Sequence, residues 1–289
     1  VSVCLGIDTS NYTTSAATYD SLSGAVESVT IPLPVPDGAL GLRQSDALFH
    51  HVKQLPEALR RLDLTSVEAI GVSSRPRGAE GSYMPCFLAG DGMAEALAHA
   101  LGAPLYRFSH QEGHIAAAAW SAGAEELPEF LAWHLSGGTT ELLRVNRGQI
   151  EILAATKDIS AGQLIDRVGL MLGLPFPSGG ALDRLALKHD KVIPARITSP
   201  NLSGFENKAQ KLLEDGEKPE NIAFYIMNVI LQFVINLTPG NLPLLFTGGV
   251  SRSEVLRSVF KGRAYFAEPR FSSDNALGAA YLAAGRYKS

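Results

Sequence analysis

The chain has 289 residues, 46% of them hydrophobic, and a formal net charge of −4. That is a globular composition, with chain enough for a large core in one or two domains, and its mild acidity argues against a free-standing nucleic-acid binder without excluding a partner-assisted RNA contact. Two cysteines in apolar runs, Cys4 and Cys86, argue against a disulfide framework and point to a reducing, cytoplasmic setting; no basic leader and no apolar run near the roughly 20 residues of a membrane span are read, so no membrane partner is expected.

In chain order, Val3–Asp8 reads as a strand ending on an acid. "TTSAATYD" and "AVESVTI" continue it as a β-meander. Residues 44–62 have helical spacing, with Leu48, Val52, Leu55 and Leu59 on one face. A buried strand (67–74), the loop "RPRGAEGS", a helix (84–102, with Pro85 near its start and Gly102 past its end) and the short strand "PLYRF" follow. Then comes "SHQEGH", with His110 and His114 four apart.

The opening pattern now returns. Residues 129–156 read as strand, Gly-rich turn, strand, turn, strand. "SAGQLIDRVGLMLGL" is a helix, "PFPSGG" a turn before another helix, and 195–205 polar and irregular. A helix at roughly 219–237, strand 242–249, helix 251–260, strand 263–267 and a helix from about 274 close the chain. Two halves built alike predict an α/β fold of two lobes about a cleft, where ligands tend to bind. The expected lobes are 1–128 with 274–289, and 129–273.

Two Gly-rich turns invite a phosphate or a nucleobase: "SGGTT" (136–140) between strands, and "TGGVSRSEVLR" (247–257) between a strand and a helix. Neither fits a P-loop or a dinucleotide fingerprint. His110 and His114 share one helical face, which suits either two metal ligands or two ordinary histidines. Glu112 lies two residues after His110, about 200° round a helix, so this is not the HExxH arrangement of metalloproteases.

The segments "GIDTS", "SHQEGH", "HLSGGTTEL", "SAGQLIDRVGLMLGLPFPSGG", "FTGGVSRSEVLR" and "SSDNALGAA" stand in one order along nearly the whole chain. That order resembles the TsaD/Gcp family, the tRNA N6-threonylcarbamoyladenosine synthase proteins long described as glycoproteases, within the actin-like ATPase superfamily. The resemblance implies a two-lobed actin-like ATPase fold with a central cleft. It implies a divalent metal (Fe or Zn) held by His110, His114 and Asp274, with His134 as a further ligand where some members carry tyrosine. It implies an adenine nucleotide or threonylcarbamoyl-adenylate on Ser136, Gly137, Gly138, Asp166 and Gly179, with Ser253 standing where the family has asparagine. Asp8, ending the first strand, is the catalytic candidate. The implied partners are tRNA and helper proteins, in a homo- or heterodimer. The implied reaction is transfer of the threonylcarbamoyl group to N6 of the adenosine beside the tRNA anticodon. Tyr12 and Thr13 replace an acidic pair of typical members, and "RPRG" replaces a GPG loop, as in a divergent bacterial paralogue. A catalytically weak nucleotide-binding regulator or scaffold is the alternative; a metalloprotease is the third reading.

Overall fold

The computed structural model describes residues 2–10, 12–34, 42–272 and 275–288. Its contacts divide the chain into two units, Val1–Ser121 with Arg270–Ser289, and Ala122–Pro269.

In the first unit, β1 (Val3–Asp8), β2 (Thr13–Asp20) and β3 (Val26–Pro32) form the expected antiparallel meander. β1 also pairs in parallel with β4 (Val67–Arg75), and β4 with β5 (Leu105–Ser109), giving the order β3-β2-β1-β4-β5. β1 is buried on both faces, so it reads as a continuous apolar run rather than an alternating one. On one side Leu5, Ile7, Ile70 and Val72 pack with Leu55 and Leu59 of α1 (Gln44–Arg60) and Ala94 of α2 (Phe87–Leu101). On the other, Cys4 and Ala69 pack with Ala276, Ala280 and Ala283, the last two on α9 (Leu277–Lys288). α9 lies directly on the sheet: a Cβ on Gly6 or Gly71 would stand 2.1 Å from a carbonyl oxygen of Ala276 or Ala279. The remaining helix of this unit, α3 (His110–Ala122), begins at the first histidine.

α1 keeps part of the expected face: Leu55 and Leu59 are buried, but Val52 is 55% exposed, and Ala47, His51 and Ala58 fill the rest of the inward stripe. The reason is polar: the buried Thr14 hydroxyl on β2 meets His51 Nδ1 at 2.8 Å and donates to Gln54 Oε1 at 2.9 Å.

The second unit repeats the topology. β6 (Glu129–Leu135), β7 (Thr140–Asn146) and β8 (Gln149–Ala155) form the meander, and β9 (Leu244–Thr247) and β10 (Tyr265–Phe266) add in parallel, in the order β8-β7-β6-β9-β10. Its core joins Leu131, Trp133, Leu135 and Phe246 of the sheet to α4 (Ala161–Met171), α5 (Gly179–Ala186), α7 (Pro219–Leu237) and α8 (Glu254–Phe260). Three differences from the sequence reading stand out. α6 (Ser203–Glu214) is a helix where none was expected; among its helical residues only Ala209 is fully buried, so its apolar stripe is faint. The expected helix 251–260 is split into a 3-10 turn (Gly249–Arg252) and α8, with Ser253 as the N-cap of α8. Finally, α7 is long and apolar enough by length and composition to cross a membrane; 61% of that span is buried in this unit's core, as a core helix would be.

Candidate functional site

Asp8 ends β1 in register with Ser15 on β2, and is 1% exposed. Its Oδ1 accepts from the Ser10 backbone N–H at 2.9 Å and from the Ser10 hydroxyl; its Oδ2 meets His110 Nδ1 at 2.8 Å. Burial pushes the Asp8 carboxyl up, but His110 beside it and hydrogen bonds from His110, Ser10 and Ser73 outweigh that, so it titrates below the ordinary aspartate range.

His110 and His114 lie one turn apart on α3, with ring centroids 4.2 Å apart and planes at 76°. Ser109 and Glu112 set where that helix begins. The Ser109 backbone N–H donates to Glu112 Oε2 at 2.7 Å, and the Glu112 N–H donates to Ser109 Oγ at 3.2 Å. This reciprocal capping box occupies Glu112 at the helix start. The motif "SHQE" carries the S-x-x-E signature, which the sequence reading passed over.

The donor set fits a metal as far as it is described. His110 Nδ1 is engaged by Asp8, and two imidazoles on one helical face suit Zn²⁺ or Fe²⁺ as part of a larger donor set. Asp274 lies outside the described residues. Among those described, no group of three His, Cys, Asp or Glu side chains that could hold a metal is found. His134 belongs to the second unit: it is half-buried on β6, opposite Glu141 of β7 and Thr247 of β9.

In the second unit a cavity of about 400 Å³ is lined by Gly137, Asp166, Gly179 and Ser253, with Ile165 and Met227 as apolar wall. Sites for drug-sized ligands fall in that range. Ser136 and Gly138 flank Gly137 in an exposed turn closed by the Ser136 N–H to Thr139 carbonyl bond at 2.8 Å. The turn is locked to α4, whose N-cap Ser160 donates to the Gly137 carbonyl at 2.7 Å. A Cβ on Gly162 would stand 2.6 Å from Gly137 Cα, so only glycine permits this approach. Asp166 accepts from the Ser178 N–H at 2.8 Å, tying α4 to the turn before α5. The GG turn after β9 also depends on glycine: Gly248 has φ +91°, and a Cβ there would stand 2.2 Å from the Leu135 carbonyl oxygen.

Asp183 is a cavity residue that the sequence reading missed. It is 7% exposed and accepts from the Ser253 hydroxyl and from the Glu254 N–H at 2.8 Å. Its one signal in the sequence is its place one helical turn after Gly179. Ser253, expected to replace an asparagine contact, is thus also tied to Asp183 and to the Leu256 N–H it caps. Arg252 and Gly180 complete the polar lining.

Residues 45–281 match the family model TsaD, described as tRNA N6-adenosine threonylcarbamoyltransferase. Proteins of that name from two strains of Thermus thermophilus are each 32% identical over 282 residues, spanning 89% of this chain and 83% and 82% of theirs. Among solved structures, component A of the (R)-2-hydroxyglutaryl-CoA dehydratase of Acidaminococcus fermentans superposes with TM-score 0.64 at 16% identity, over 100% of both chains. The 2-hydroxyisocaproyl-CoA dehydratase activator of Clostridium difficile, with bound ADPNP, gives 0.58 at 15% identity, over 99% of this chain and 96% of its own. At such identities these two speak for the fold alone, that of the actin-like ATPase superfamily.

Proposed function

The chain belongs to the TsaD family, tRNA N6-adenosine threonylcarbamoyltransferase, and from that premise we propose that it modifies tRNA by acyl transfer. The donor is threonylcarbamoyl-adenylate and the acceptor is N6 of the adenosine next to the anticodon. A bond forms from N6 to the carbamoyl carbon, the bond from that carbon to the adenylate phosphate oxygen breaks, and AMP leaves with the electron pair while N6 gives up a proton. The match over residues 45–281 carries this reading, with the cavity of the second unit as its support.

The roles divide between the units. The exposed glycines of the 136–138 turn let the adenylate phosphate approach backbone N–H donors. Asp166 and Asp183 offer carboxylate oxygens to ribose hydroxyls, and Ile165 and Met227 offer the base an apolar wall. Holding the adenylate this way makes the transfer effectively unimolecular once the acceptor docks. His110 and His114 of the first unit, with Asp274 as a further candidate, would hold a divalent metal. When bound, such a metal supplies Lewis-acid polarisation of the threonylcarbamoyl carbonyl. The protein acts in the cytoplasm with tRNA and helper proteins.

The test is transfer in vitro: protein, threonylcarbamoyl-adenylate and an adenosine-containing tRNA, with the modified nucleoside read by mass spectrometry. The expected outcome is modified tRNA with the wild type and its loss with His110→Ala. Full transfer by His110→Ala would refute the metal role. A second reading follows from Tyr12 and Thr13, which stand where typical members carry acids: a nucleotide-binding regulator without turnover. Nucleotide binding with no single-turnover transfer would favour it.

A further inference from the structure

We propose that Arg252 is a specificity-determining residue of the second unit's cavity: the plane of its guanidinium stacks on the base of the bound nucleotide. This rests on the nucleotide reading above and deepens it, by naming the group that recognises the base.

Among the described residues that line the cavity, Arg252 carries the one cationic side chain, in company with the carboxylates of Asp166 and Asp183. Its backbone is fixed. Arg252 is the last residue of the 3-10 turn that follows Gly248. It stands between two buried serines, and both are tied: Ser251 Oγ donates to the Gly248 carbonyl at 2.7 Å, and Ser253 Oγ donates to Asp183. Arg252 itself is exposed, and its Nη2 donates to the Pro269 carbonyl. The side chain is thus held at both ends. Hydrogen bonds to a guanidinium lie in its plane, so this tether occupies part of one edge and leaves the flat faces to stack. Nη2 also belongs to both of the two-nitrogen edges with which an arginine grips a phosphate, so the tether costs phosphate binding more than stacking. A base entering the cavity therefore meets the apolar wall of Ile165 and Met227 and a flat, tethered cation. A guanidinium over an aromatic face is attracted by the ring's π-electrons. It reads ring area rather than an edge pattern, which favours a purine over a pyrimidine.

The experiment titrates the full chain with AMP and with adenosine, which keeps the base and lacks the phosphate; ligand-observed NMR reads both affinities. Arg252→Ala should weaken both ligands by the same factor, about 3- to 30-fold. Arg252→Lys keeps the charge without the plane and should recover little of that loss. A loss confined to AMP would assign Arg252 to the phosphate, and unchanged affinity for both ligands would remove it from the site; either result overturns the inference, as does full recovery with Arg252→Lys. If Arg252→Ala does not fold, Arg252→Lys decides alone: equal weakening of both ligands supports stacking, and wild-type affinity overturns it. A wild type that binds neither AMP nor adenosine would refute the nucleotide reading, and the stacking with it.

Discussion

Gly278 on α9 faces Gly113 on α3, the helix that carries both histidines. A Cβ on Gly278 would stand 1.8 Å from the Gly113 carbonyl oxygen, against the 3.4 Å at which ordinary contact begins, so the helices would have to part by about 1.6 Å. The carbonyl belongs to a helix backbone and cannot swing away as a side-chain tip would. Overpacking of this kind costs about 3 kcal/mol or more when backbone must move. Gly285, on the same helix, is the control: a Cβ there meets nothing within 4 Å. Gly285→Ala should therefore gain up to about 1 kcal/mol from helix propensity alone. Urea midpoints would rank the two variants, and peptide-resolved hydrogen exchange would place the loss in α3 and α9 rather than in the second unit. An unchanged midpoint for Gly278→Ala, or equal effects at the two glycines, would refute the close-approach argument.

Other outcomes follow from the same geometry. Asp158 accepts from the Leu202 and Ser203 N–H groups at the start of α6; burial pushes its carboxyl up, but those bonds and the Ser203 hydroxyl lower it from 3.8 to about 2. Because its folded value is depressed, its stabilisation is present above about pH 4 and is lost as pH falls towards 2; Asp158→Ala should remove about 1 kcal/mol at pH 7, discounted for solvent screening, and little at pH 2, as urea titrations would read. Asp183→Ala strips the partner from Ser253 and Glu254 N–H and should cost the second unit roughly 1–3 kcal/mol while weakening AMP binding in calorimetry; unchanged affinity would remove Asp183 from the nucleotide site. Glu112→Gln keeps the capping box and should leave both melting temperature and tRNA transfer near wild type, whereas a metalloprotease base at Glu112 would make any hydrolytic activity vanish.

What was legible in the chain was whatever repeats with a short period. Strands β1 to β3 and β6 to β8, the paired-glycine turns and the helical spacing of His110 and His114 all announce themselves within a few residues. α6 was lost because one buried alanine and part-buried Phe205, Leu212 and Leu213 make a weak stripe. On α1 the expectation held at Leu55 and Leu59 and failed at Val52, because a buried threonine on β2 drew His51 inward. The site shows the same division more sharply. Its polar partners are far apart in sequence, Asp8 from His110 by 102 positions and Ser253 from Asp183 by 70. No periodicity links such pairs; only the fold does, by ending a strand where a helix begins. An acid that ends a buried strand has nowhere to send its charge except to such a partner, since an unpaired buried carboxylate costs several kcal/mol. The acid in "GIDTS" therefore asked for a cation or a ring nitrogen before any catalytic role, and "SHQE", a histidine at a capped helix start, was the matching half.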